Sequence, residues 1–70
     1  KKEAAIAVAK LNTLLYPKEA YPYENLGNKL YHTNKLKEAL VTYKKSLVLN
    51  PKNKRVQKAI AKIEETQQGD

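Results

Sequence analysis

The sequence repeats itself at an offset of 34 residues, and no other feature limits the possible folds as much. Sliding the chain by that step pairs Ala5 with Ala39, Lys10 with Lys44, Leu15 with Leu49, Pro17 with Pro51 and Lys18 with Lys52. Ile6 falls on Leu40, Leu26 on Ile60 and Gly27 on Ala61. A period of this length belongs to stacked supersecondary units, none of which can bury its apolar face alone. The whole chain is 70 residues, so it holds little more than two periods. A chain that short buries only about 60% of its unfolded surface, which makes its core small.

Apolar spacing and punctuation predict four helices. The first spans about Lys2 to Leu15, and its block Ala4-Ala5-Ile6-Ala7-Val8-Ala9 is apolar on nearly every side, so it expects neighbours on two faces. Pro17 ends it. The second begins near Ala20, with Pro22 in the first turn where its missing N–H is harmless. It carries Tyr23, Leu26, Gly27 and Leu30 at i, i+3, i+4 and i+7 and should stop at Thr33-Asn34, asparagine being the usual stand-in for glycine in a left-handed helix end. The third places Leu36, Ala39, Leu40, Tyr43 and Leu47 on one stripe and ends before Pro51. After Asn53 as N-cap, the fourth shows Val56, Ala59, Ile60 and Ile63 at the same spacing, with Lys54, Arg55, Lys58 and Lys62 on its other side. The tail from Thr66 to Asp70 loses that periodicity and reads as a frayed end. Short connections favour antiparallel neighbours, which makes the expected class all-α, a zigzag of helical hairpins.

Between Tyr21 and Asn53 the segment YPYENLGNKLYHTNKLKEALVTYKKSLVLNPKN resembles one tetratricopeptide repeat. The residues that carry the likeness are Tyr23, Leu26, Gly27 and Leu30 in one helix, Ala39, Tyr43 and Ser46 in the next, and Pro51 after it. Leu30 stands where the family usually has tyrosine, Asn34 where it has a turn glycine, and Ser46 where it has alanine. The resemblance implies antiparallel hairpins of a right-handed superhelix, in about one and a half repeats plus a cap. Residues 1–16 would be the second helix of a preceding repeat, 20–53 a complete repeat with helices about 20–33 and 36–49, 54–68 the capping helix and 69–70 a frayed tail. In such packing Gly27 and Ala39 let paired helices approach, while Tyr23 and Tyr43 fill the gaps between successive hairpins. The stretch from Lys10 to Asn53 is also similar to the short repeat tails of some bacterial serine hydrolase-like proteins, in which chemistry belongs to another domain. A chain without methionine, holding fewer than the three or so repeats an array needs, is expected to be part of a longer one.

Lys+Arg total 14 against seven Asp+Glu, a net charge of +7, and thirteen of the cations are lysine. From Leu26 to Ile63 ten cations face only Glu38, so this stretch attracts polyanions or acidic peptides. Lysine makes point-charge contacts where bidentate phosphate recognition favours arginine, which ranks nucleic acid behind a solvated lysine surface. With no cysteine, disulfides, thiolate metal sites and a cysteine nucleophile are excluded, and the compartment is left open. His32 and Ser46 are the only residues of their kinds, no acidic pair sits in an apolar pocket, and Gly27 and Gly69 form no phosphate-cradling loop. Neither catalysis nor a cofactor nor a metal is expected. No stretch has the roughly 18 apolar residues of a membrane span.

The family likeness further implies a concave groove lined by the first helix of each hairpin. That would put Tyr21, Glu24, Asn25, Asn28 and His32 on the groove stripe of the second helix, with Arg55, Lys58, Ala59 and Lys62 on the capping helix. Amides can bond a peptide backbone while cations meet acidic side chains or a terminal carboxylate. Asn25, Asn28 and Arg55 match part of the carboxylate clamp of some family members, but Glu24 and Ala59 stand where that clamp has cations. The expected role is a protein–protein interaction module that binds a peptide or docks on its parent domain. The rival readings are a merely solvated helix face, RNA or DNA binding through the lysines, and self-association through an apolar patch of Ile6, Val8 and Leu11.

Overall fold

The computed structural model describes residues 1–68. They form four helices and no strand: α1 (Lys2–Leu15), α2 (Ala20–His32), α3 (Leu36–Leu49) and α4 (Lys54–Gln68). Each helix end has a local cause. Tyr16 and Asn50, the residues before Pro17 and Pro51, leave helical geometry at φ −128°, ψ 63° and φ −143°, ψ 83°, because a following proline disfavours the helical region. Asn34 closes α2 in the left-handed region at φ 63°. The Lys35 N–H then donates to the Leu30 carbonyl at 2.9 Å and the Asn34 N–H to that of Tyr31 at 3.1 Å. That paired arrangement satisfies carbonyls which a helix end otherwise leaves open. Asn53 starts α4, its Oδ1 accepting from the N–H groups of Arg55 at 3.0 Å and Val56 at 3.4 Å.

Turns of three or four residues fold the helices back on one another, so α1 packs on α2, α2 on α3 and α3 on α4. The result is a slab of 36 × 30 × 14 Å. Its centre is the α2–α3 hairpin, where Leu26, Leu30, Ala39 and Tyr43 are buried; Ile6 and Ala9 close one side and Val56, Ile60 and Ile63 the other. The Ser46 hydroxyl, fully enclosed, donates to the Ala20 carbonyl at 3.0 Å and ties the end of α3 to the start of α2. Each fully buried leucine or isoleucine is worth about 1.5–3 kcal/mol, so these few residues carry much of the small domain's stability.

Tyr43 lies with its ring on Gly27 inside the α2–α3 hairpin, because only a residue without Cβ leaves room for it there, and it also lines the space between α2 and α4. Three expectations change. Tyr23 is only half-buried, its hydroxyl donating to the Pro17 carbonyl at 3.2 Å while the Lys45 ammonium sits 5.6 Å from its ring centre. Ile6 is buried against the core, so the exposed apolar face of α1 consists instead of Val8, Leu11, Leu14 and Leu15. Helix α4 runs through Gln68 instead of fraying at Thr66; the frayed tail expected at residues 69–70 lies outside the described residues.

Candidate functional site

Asn28, Tyr31 and His32 project from one side of α2 toward the face of α4 that carries Arg55, Lys58, Ala59 and Lys62. Between them opens a hollow of about 570 Å³. Tyr43, reaching through from α3, and half-buried Tyr31 and Ala59 supply its apolar base. Asn28, His32, Arg55, Lys58 and Lys62 stand exposed around it, and Glu65 is the single acid on its border. One wall is therefore cationic and the base aromatic.

A buried polar unit holds that wall in place. Glu24, although charged, is only 5% exposed. Its Oε2 accepts from Arg55 Nε at 2.9 Å, and its Oε1 from Arg55 Nη2 at 3.2 Å and from Asn53 Nδ2 at 2.9 Å. The planar guanidinium thus meets both carboxylate oxygens along one edge, the strongest geometry open to such a pair. The Arg55 bond holds the Glu24 carboxyl below its usual range, with help from Asn53 and the arginine charge, against the upward push of burial. Arg55 keeps its opposite edge toward solvent and the hollow, since its side chain is 76% exposed.

Asn28 is positioned by Tyr43, whose phenol donates to Asn28 Oδ1 at 2.5 Å and leaves the amide N–H₂ free. Burial first, then the negative charge of Glu24 and the nearby Tyr31, push the Tyr43 phenol up to about 12. It stays a donor at any ordinary pH. No buried side-chain nitrogen or oxygen among the described residues lacks a partner.

The structure brings together six of the nine residues expected on the groove, Asn28, His32, Arg55, Lys58, Ala59 and Lys62. Glu24 is not one of them, because its carboxylate is spent on Arg55 and Asn53. Tyr21 borders a separate hollow with Asn12, Tyr16 and Pro22, and half-buried Asn25 lies outside the groove. Tyr31 and Tyr43 belong to it too, although the sequence pattern marks Tyr43 as core and assigns Tyr31 no role. Tyr31 lies at i+3 from Asn28, a signal that was available; Tyr43 comes from a helix whose stripe reads wholly as core.

Compared with protein-family models, curated proteins and solved structures, the chain finds no match. What the hollow can do is read from its own chemistry. Nothing about it suits a metal: among the described residues no three histidine or acidic side chains converge. An aromatic base beside cations and one free amide suits a chain segment that offers an apolar side chain, a backbone carbonyl and negative charge.

Proposed function

We propose that the chain is a non-catalytic protein-interaction module of the tetratricopeptide-repeat kind, taking an acidic peptide segment in the hollow between α2 and α4. One observation carries the reading: Arg55, Lys58 and Lys62 line one wall, over a base of Tyr31, Tyr43 and Ala59. The segment's apolar side chain packs on the tyrosine faces, its carboxylates meet the cations, and the free amide of Asn28 donates to its backbone. Pre-ordering of Arg55 by Glu24 and of Asn28 by Tyr43 lowers the entropy lost on binding.

The test is a titration of the isotope-labelled chain with short synthetic peptides containing a leucine beside a run of glutamates. Amide shifts should cluster at Asn28, Tyr31, Arg55, Lys58 and Lys62 and vanish in an Asn28→Ala/Lys58→Glu variant that keeps its helical circular dichroism. Shifts of equal size in that variant, or none with the native chain at low salt, remove the hollow as the site.

A further inference from the structure

The outward side of α1 and α3 carries a second pattern, which the hollow leaves unused. Ala7, Lys10 and Leu14 share one stripe of α1, and Lys18 follows in the turn; at the repeat offset, Val41, Lys44 and Val48 share the matching stripe of α3, and Lys52 follows in its turn. All eight are exposed. Leu14 is 77%, Val41 69% and Val48 79% exposed, high values for large apolar side chains. Both stripes lie on one side of the slab, since Lys10 of α1 and Lys37 and Val41 of α3 border the same shallow apolar depression over Leu26 and Leu30. Their far ends also coincide: Ser46 near the end of α3 bonds the start of α2, and Tyr23 of α2 bonds Pro17 in the turn after α1.

We propose that this face docks peripherally onto an anionic lipid surface, Leu14, Val41 and Val48 entering the headgroup boundary while Lys10, Lys18, Lys37 and Lys52 meet the headgroup charges. Charge decides the class of occupant. Five lysines, counting Lys44, face outward on these stripes or beside the depression, against three acids: Glu3, four residues before Ala7 on the α1 stripe, Glu38, which borders the depression, and Glu64, which lies 3.5 Å from Lys44. A second copy of a +7 chain is repelled by the same field that attracts an anionic surface. Shape separates a lipid surface from an acidic protein helix. A helix laid in the depression leaves Leu14 and Val48 uncovered, since neither lines it, whereas a plane touches the crests of both stripes at once. Lysine suits the contact, because its apolar stem follows the inserted side chains while the ammonium stays among headgroups. Docking of this kind lies on the membrane; among the described residues no helix is long and apolar enough to cross one.

Sedimentation with vesicles of phosphatidylcholine, or of equal parts phosphatidylcholine and phosphatidylserine, tests the proposal. The chain should partition onto the mixed vesicles at low salt, much less onto neutral ones, and progressively less as salt rises. Leu14→Ser/Val48→Ser should weaken that partitioning roughly tenfold, and each of Lys18→Gln and Lys52→Gln roughly fivefold; all four positions are exposed, so helical circular dichroism should not change. The groove variant Asn28→Ala/Lys58→Glu should retain the partitioning that depends on Leu14 and Val48, which separates this face from the hollow. Absence of binding at low salt, equal binding to neutral vesicles, or full retention by Leu14→Ser/Val48→Ser overturns the proposal. So does binding of soluble polyglutamate, but not vesicles, in a Val48-dependent way, which assigns the face to an acidic protein.

Discussion

The ring of Tyr43 lies so close over Gly27 that a Cβ built there would be 2.6 Å from Cδ1 and 2.7 Å from Cε1. Tyr43 is 2% exposed and its hydroxyl is bonded to Asn28, so the ring has nowhere to swing. This contact sets the spacing of α2 and α3, and through Asn28 it also reaches the hollow.

Gly27→Ala should therefore destabilise the fold despite alanine's better helix propensity. Overpacking costs about 1–3 kcal/mol and the propensity gain returns up to about 1 kcal/mol. Thermal unfolding followed by circular dichroism should show a lower midpoint for Gly27→Ala and partial recovery in Gly27→Ala/Tyr43→Leu, where the smaller side chain frees the space. A midpoint equal to or above that of the native chain contradicts the contact.

Glu24 predicts how stability responds to acid. Its folded pKa lies below the ordinary carboxyl value of 4.5, so it favours the folded state above that value, and the contribution fades as pH falls through the lower folded one. Glu24→Gln keeps a similar shape but loses the charge-assisted bonds. It should cost about 1–2 kcal/mol at neutral pH, less than a fully buried pair because Arg55 is largely in water. Urea melts at stepped pH should show that difference shrinking below 4.5. A gap that stays constant down to strong acid refutes the assignment.

At the alkaline end Tyr43 takes over. Its phenol, raised from the ordinary value of 10.0 to about 12, favours the folded state while it is protonated. Once the pH passes 10.0 the unfolded chain ionises first, and that stability drains away until the folded phenol titrates near 12. Tyr43→Phe should start about 0.5–1.5 kcal/mol less stable through the lost bond to Asn28 and should have a flatter alkaline limb, read from urea midpoints.

Asn34 supplies a local test of the hairpin turn. At φ 63° a Cβ-bearing residue is strained unless its side chain bonds locally, so Asn34→Ala should lose about 1 kcal/mol. Asn34→Gly should be neutral or slightly stabilising, since glycine enters that region without a steric cost. If both variants melt together with the native chain, the left-handed turn is not what closes α2.

The helix limits were legible because their causes lie within a few residues of the chain: Pro17 and Pro51 act on the residue before them, Asn34 closes its own turn and Asn53 caps its own helix. Much of the core was legible as well, since Leu26, Leu30, Ala39 and Val56 fall on stripes that helical spacing alone defines. The fate of the polar residues was not. Glu24 lies in the same register as Asn28, so spacing placed both on an open face; what separates them is Asn53 and Arg55, which arrive from beyond two turns and bury the carboxylate.

Local sequence thus decided where the chain bends and which faces are apolar, because backbone dihedrals and periodicity are short-range properties. Tertiary structure alone decided that Tyr43 rests on Gly27 and reaches the hollow, and that Arg55 is held by Glu24. Those outcomes depend on what stands opposite a residue once the helices have packed, and a helix register carries no information about its neighbour.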